Sequence, residues 1–296
     1  MSFDRILVKK QGDFKGMPWA KGLLSASLTC LVSLAFAALL ATFPNSAAAD
    51  ATERLAKAIY IHFIETYFSH VGATAEIEQN YPIVRWGAPI AIATNLAGMD
   101  RTRSVVADDI TELAATISAL GHDMSVVDNV SDANVRMVFF TAGKDEPEKV
   151  YKVLDPSIAG YDLQFKLAWR AFSKRNDCAM GGLPSGPYEI GYAFAFINIA
   201  QPDEKLVNCT NRMLFGLLGF QESETYSVSP TLFDIKSAMT SPSEIDLLVL
   251  LALADPRLKK GMIYDEKTQE VLREVSRSVA RSIDAEAALN ALHSTE

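Results

Sequence analysis

The sequence predicts an α+β fold, a mixed sheet packed with helices and followed by a long C-terminal helix. Segments of helical and strand-like apolar spacing succeed one another as helix, strand, helix, strand, strand, then helix, strand and further helices. No linker rich in proline, glycine or serine separates them, so one domain is expected over residues 50–264, with a terminal helix over 265–296. The 296 residues are 49% hydrophobic and 22% charged, which supplies a proper core and excludes wholesale disorder.

Each element has its own signal. Ala51–Ser69 carries Leu55, Ala58, Ile59, His62–Phe63 and Tyr67 on one helical stripe. Ile83–Ala93 is β-branched with a proline inside, which predicts a strand near a sheet edge. Arg103–Leu120 repeats Val106, Ile110, Leu113, Ile117 and Leu120 at helical spacing, and Gly121 is a suitable helix terminator. Met124–Val127 and Asn134–Phe140 read as strands, and Asp162–Phe172 as an amphipathic helix. Asp177–Pro187 is glycine- and proline-rich and reads as a loop. Tyr188–Ala200 alternates like a strand with one buried face. Leu206–Leu218 is a buried helix ended by Gly219, and Ser243–Leu253 a short apolar helix stopped at Asp255-Pro256. Asp265–Leu292 reads as one long helix with Val271, Val275, Val279 and Ile283 inward.

Residues 1–49 read as a targeting segment. Arg5, Lys9, Lys10, Lys15 and Lys21 precede Gly22–Phe43, which carries no charge, and Ala47-Ala48-Ala49 supplies small residues before Asp50. That is the layout of a signal peptide with a basic start, an apolar middle and a small-residue cleavage site. The alternative is an uncleaved N-terminal membrane anchor through residues 22–43, since 22 helical residues span roughly 33 Å. Both readings export residues 50–296, to the periplasm or beyond the cell in one case and anchored in the inner membrane facing the periplasm in the other.

The net charge of −8 argues against a nucleic-acid partner, which would require clustered Lys and Arg. Without residues 1–49 the chain keeps 23 basic and 34 acidic side chains, a net −11. Of three cysteines, Cys178 and Cys209 then remain, and in an oxidising compartment a disulfide is the simplest reading. A redox or metal role for the two thiols is the other.

The strand and helix around Cys209 can be laid on the zinc metallopeptidase pattern. There a strand precedes a helix bearing HExxH, whose histidines share a face and whose glutamate serves as general base for a zinc-bound water. On that template the positions are Arg212, Met213 and Gly216, with Glu222 near the third ligand. Arginine does not deprotonate to bind zinc and methionine is no base. No histidine stands between Asp123 and Leu292, so no metal and no cofactor is expected.

Cys209–Phe220 (CTNRMLFGLLGF), then Ser229-Pro230-Thr231-Leu232-Phe233-Asp234, Asp246–Leu251, Asp255-Pro256-Arg257-Leu258 and Gly261-Met262 resemble the signature of a bacterial exported family, domain of unknown function 2927. Arg85-Trp86 and Cys178 match its early strand and partner cysteine, so the resemblance covers roughly residues 80–265. It implies a distant, zincin-like (metallopeptidase-like) fold. The family pattern places two carboxylates and a glutamine where this chain has Arg212, Met213 and Gly216, and an Asn-Asp pair where it has Glu222 and Ser223. The scaffold carries over better than the chemistry.

Other constellations are weaker. His62, Glu65 and His70 share a helix, but His62 and His70 differ by about 80° around it, so they read as partly exposed histidines and not as a metal site. His122-Asp123 follows Gly121, where capping is expected. Gly181–Gly186 lacks the lysine and following helix of a phosphate loop and reads as a turn; neither G-x-S-x-G nor S-x-x-K occurs. Arg273, Arg277 and Arg281 form a solvated stripe with Glu270 and Glu274 as neighbours, and Trp86 is expected in the core.

The expected function is a non-catalytic binding or assembly module of the cell envelope, with an envelope protein or polymer as partner. The alternative is a metal-independent, rearranged-site hydrolase of peptide or envelope polymer, drawing on Glu189, Glu222, Glu224 or Asp234.

Overall fold

A computed structural model describes residues 46–68, 82–96, 99–141, 161–175, 177–220, 231–234 and 239–293. Residues 1–45 of the targeting segment, His70, Glu222 and Glu224 lie outside the described residues, and Ser46–Ala49 open the first helix. Among the described residues no helix is long and apolar enough to cross a membrane.

The elements in chain order are helix α1 (Ser46–Tyr67), strands β1 (Arg85–Trp86) and β2 (Ile90–Thr94), α2 (Asp100–Ala119) and β3 (Met124–Val126). A single 3₁₀ turn, Val130–Asp132, then leads to β4 (Val135–Phe140), α3 (Tyr161–Arg175), β5 (Cys178–Gly186) and β6 (Glu189–Asn198). Four helices close the chain: α4 (Asp203–Gly216), α5 (Glu244–Leu253), α6 (Glu266–Ser282) and α7 (Ala285–His293).

Among the described residues, six strands form one mixed sheet. β3, β2, β4 and β6 run parallel side by side, and β5 pairs antiparallel with β6 as the outer strand. β1 and β4 meet β6 in succession along its other edge, β1 at Glu189–Ile190 and β4 from Ala193 to Asn198.

Helices cover both faces. Val135, Met137 and Phe139 of β4, with Ala193, Ala195 and Ile197 of β6, face the main core beneath the other helices. The intervening Val138, Phe140, Tyr192, Phe194 and Phe196 face a second, smaller core closed by Phe165, Ala168 and Phe172 of α3. β6 is therefore buried on two faces where its alternation predicts one, because aromatic residues, not polar ones, fill its second face. Phe140 and Phe172 stand 4.9 Å apart between ring centroids, and Phe165 and Phe196 5.4 Å.

Three other expectations are corrected. Asp177–Pro187 is not a loop and Gly181–Gly186 is not a turn; both fall in or beside β5, whose pairing with β6 overrides its weak strand propensity. Gly181 is required there, since a Cβ would lie 2.4 Å from Cζ of Phe194. Ile83–Ala93 divides at Gly87–Pro89 into β1 and β2, and β2 is internal, between β3 and β4. Pro89 precedes the strand, so its missing N–H costs the ladder nothing. The terminal helix breaks at Ile283, which is extended, and Asp284 caps the new start by accepting from Ala287 N at 3.2 Å. The stripe of Arg273, Arg277 and Arg281 is solvent-facing as expected, and from it Arg277 also pairs with Glu53 of α1 at 3.0 Å and Arg273 lies over the Tyr60 ring, 5.2 Å from its centroid.

The disulfide between Cys178 and Cys209 is present, joining the start of β5 to α4. Val106, Ile110, Leu113 and Ile117 of α2 are buried as their spacing predicts, and Gly121 takes a φ of +100° just past its end.

Candidate functional site

α4 follows β6 through a short turn, with Asp203 and Glu204 complementing its N-terminal dipole and every residue from Cys209 to Gly216 buried. Arg212 is 7% exposed, and its Nη1 donates to Asn208 Oδ1 one turn back at 3.3 Å. Met213 is buried beside it. Gly216 packs against β5: a Cβ there would meet Cε of Met180 at 3.0 Å. The structure thus brings these three positions together on one helix, but not as a zinc site. A guanidinium, a thioether and a bare glycine supply no anionic or imidazole ligand and no base. Among the described residues no three His, Cys, Asp or Glu side chains approach closely enough to hold a metal.

A cavity of about 430 Å3 opens beyond the C-terminal end of this helix, bordered by Arg85, Trp86, His122, Asp123, Leu218 and Asp255 among others. Its polar lining is largely occupied in ending helices. Trp86 Nε1 donates to Leu217 O at 2.6 Å, and the Tyr67 hydroxyl to Leu218 O, so two carbonyls past α4 are satisfied by side chains. Arg85 Nη2 donates to Leu253 O at 2.5 Å and Leu258 O at 2.7 Å, placing its charge at the negative end of α5. His122 Nε2 donates to Leu250 O at 2.8 Å. His122, expected to cap the helix it follows, bonds across to α5, at a carbonyl that also accepts from Ala254 N at 3.2 Å. Burial lowers the Arg85 pKa and pushes the Tyr67 hydroxyl well above its ordinary value. Trp86 is only partly buried against the main core, which leaves part of its ring to the cavity.

Gly219 makes this end possible. Its φ of +93° is left-handed, and a Cβ would lie 2.5 Å from Oη of Tyr67.

His62 is not the partly exposed residue its helix suggests. Its side chain is fully buried, and Nε2 lies 2.8 Å from Oδ1 of Asp246, itself fully buried on α5. The same carboxylate accepts from Thr231 Oγ1 at 2.5 Å, Leu232 N at 3.1 Å, and Ser243 N and Oγ at 2.9 and 2.8 Å. Burial alone would raise the Asp246 pKa, but hydrogen bonds from His62, Thr231 and Ser243, with the His62 charge, bring it below the usual aspartate value. This cluster ties α1, the Thr231–Asp234 turn and α5 together away from the cavity. Its local half was visible as Ser243-x-x-Asp246, the spacing of a capping box.

Of the carboxylates proposed for a rearranged hydrolase, Glu189 is ion-paired with Lys260 and Asp234 closes the turn after Thr231, its N–H donating to Thr231 O at 3.3 Å. Neither borders the cavity at Trp86.

No curated protein and no solved structure matches the chain. The family model described as Protein of unknown function (DUF2927) matches residues 62–274, from the buried histidine on α1 to the middle of α6. That span contains the whole sheet, the disulfide and the helix bearing Arg212, Met213 and Gly216, and the chain belongs to this family.

Proposed function

We propose that the protein is an exported cell-envelope module that binds or assembles with an envelope protein or polymer and does not catalyse, built on a metallopeptidase-like scaffold degenerate at its site. One observation carries the reading. Arg212, Met213 and Gly216 are packed into the interior, Gly216 directly against Met180, while an open cavity with a partly exposed tryptophan, bordered by Leu218 just past the end of the same helix and by none of the three, is present. A site that has lost its ligands but kept its cleft can still bind.

The scaffold assignment is supported by the order of antiparallel outer strand, parallel neighbour and buried helix, the strand-then-helix sequence that a metallopeptidase site uses. Export, to the periplasm or held at the inner membrane by residues 22–43, is supported by the basic and apolar start of the chain and by the disulfide. The hydrolase alternative is the weaker reading because Glu189 and Asp234 do not share the cavity.

The test is metal analysis and peptide cleavage on the full-length chain in mild detergent. The expected result is less than stoichiometric zinc and no cleavage sensitive to a chelator. Stoichiometric zinc together with chelator-sensitive cleavage overturns the reading. For export, the periplasmic or the membrane fraction should hold the protein with Cys178 and Cys209 oxidised; cytoplasmic protein with free thiols refutes it.

A further inference from the structure

A second cavity, of about 390 Å3, lies between α2, α4 and the start of α5, and nothing said so far uses it. Asp109, Glu112, Asn211 and Glu244 border it with the apolar Leu113 and Leu247, and no lysine, arginine or histidine does. Acidic side chains alone would be an ordinary solvated face of a chain with net charge −8. Two buried acceptors distinguish this one. Asn211 is 4% exposed; its Nδ2 donates to Thr240 O at 2.7 Å, which fixes the amide orientation, while Oδ1 is buried and has no hydrogen-bond partner among the described residues. Oε2 of Glu244 is likewise buried without a partner.

An unpaired buried oxygen is costly, and two in one cavity call for donors from outside the fold. The surrounding charge decides which donors. Burial raises the carboxyl pKa of Glu244, and burial together with Glu112 and Asp108 raises that of Asp109; an added cation relieves both. No three carboxylates stand close enough to chelate a metal ion among the described residues, and Leu113 and Leu247 offer an apolar wall that a hydrated metal would not use. An ammonium group has three N–H donors, and an aliphatic stem attached to it can lie along the leucines.

We infer that the cavity between α2, α4 and α5 binds a small aliphatic amine, its ammonium group donating to Asn211 Oδ1 and the Glu244 carboxylate with Asp109 and Glu112 at the entrance. The site is separate from the cavity at Trp86, and its occupancy does not depend on the function proposed above.

Calorimetric titration of the full-length chain with 1,4-diaminobutane and with spermidine at physiological salt tests this. Saturable binding of one amine per chain is expected, weakened roughly tenfold by Asp109→Asn and by Glu244→Gln, the loss of a hydrogen bond to a charged group. Both substitutions act at partly exposed positions, so an unchanged melting temperature without amine shows that folding is intact. Absence of saturable heat up to millimolar amine overturns the proposal, as does binding indifferent to both substitutions. Calcium chloride binding more tightly than either amine and displacing it overturns the assigned ligand class.

Discussion

His62 Nε2 and Asp246 Oδ1 are 2.8 Å apart although 184 residues separate them, and neither side chain reaches solvent. This contact joins the first described helix to the middle of the molecule through an anion satisfied on every side.

Asp246→Asn should therefore be among the most damaging single changes, because it removes the charge and turns one of two accepting oxygens into an N–H donor, facing either His62 and Thr231 or Leu232 and Ser243. A loss of about 3–5 kcal/mol at neutral pH is expected in denaturant titrations, as for other broken buried pairs. The pH dependence has a definite sign. A carboxyl whose folded pKa is lowered stabilises the fold above its unfolded value, and that contribution disappears as pH falls through the folded one. The gap between wild type and Asp246→Asn should narrow below about pH 4; a gap constant from pH 7 to pH 3 would contradict this role.

Gly181→Val should disrupt the outer strand. Its side chain would enter the Phe194 ring, 2.4 Å from the position of a Cβ, so Phe194 must leave the second core or β5 must separate from β6. A cost of about 1–3 kcal/mol is expected for such overpacking. The neighbouring Gly182→Val serves as control, since its Cβ would meet nothing nearer than Ile190 Cγ2 at 3.9 Å. Equal stability of the two variants in thermal melts would refute the distinction.

Gly219→Ala should be costly for two reasons at one position, a left-handed backbone and a Cβ 2.5 Å from the Tyr67 oxygen. Combining it with Tyr67→Phe removes only the closest of the clashes, since Cζ of the ring would still lie 2.8 Å from the added Cβ. The double variant is expected to recover part, not all, of a loss of about 1–3 kcal/mol. Simple additivity in a double-mutant cycle would show that the hydroxyl and the glycine are uncoupled.

Arg85→Met keeps the side-chain length and removes the donors to Leu253 O and Leu258 O. Unfolding free energy should fall by about 2–3 kcal/mol, the scale of hydrogen bonds to a charged group. Neutral stability would mean that water replaces the guanidinium at the end of α5.

The sequence made the regular parts legible for simple reasons. α2 and α4 repeat apolar residues at helical spacing, and Gly121 and Gly219 stand where those helices end in left-handed turns. β5 was illegible because its glycines and Pro184 oppose a strand locally, and only the ring of Phe194 and the ladder to β6 make them fit. The break at Ile283 was hidden by apolar spacing that continues on both sides; the signal lay in Asp284, a helix-starting side chain inside that pattern. At the candidate site, the unsuitability of Arg212, Met213 and Gly216 as zinc ligands was visible from residue type, since arginine and methionine carry their chemistry anywhere. Arg85, Trp86 and His122 were not assignable to their carbonyl partners, which lie 128 to 173 residues away. The burial of Asn211 and Glu244 around one cavity likewise depends on three helices meeting, which no single segment encodes.

The disulfide between Cys178 and Cys209 governs how the molecule opens locally. β5 is an outer strand and would otherwise be the first to fray, exposing the β6 backbone to pairing with another chain. With its first residue tied to the buried centre of α4, the strand is clamped at that end, and peeling it away there must pull a core helix with it. Amide protons near Cys178 should then exchange with solvent only as slowly as those of α4, and reduction should turn this end of the sheet from its most protected margin into its weakest.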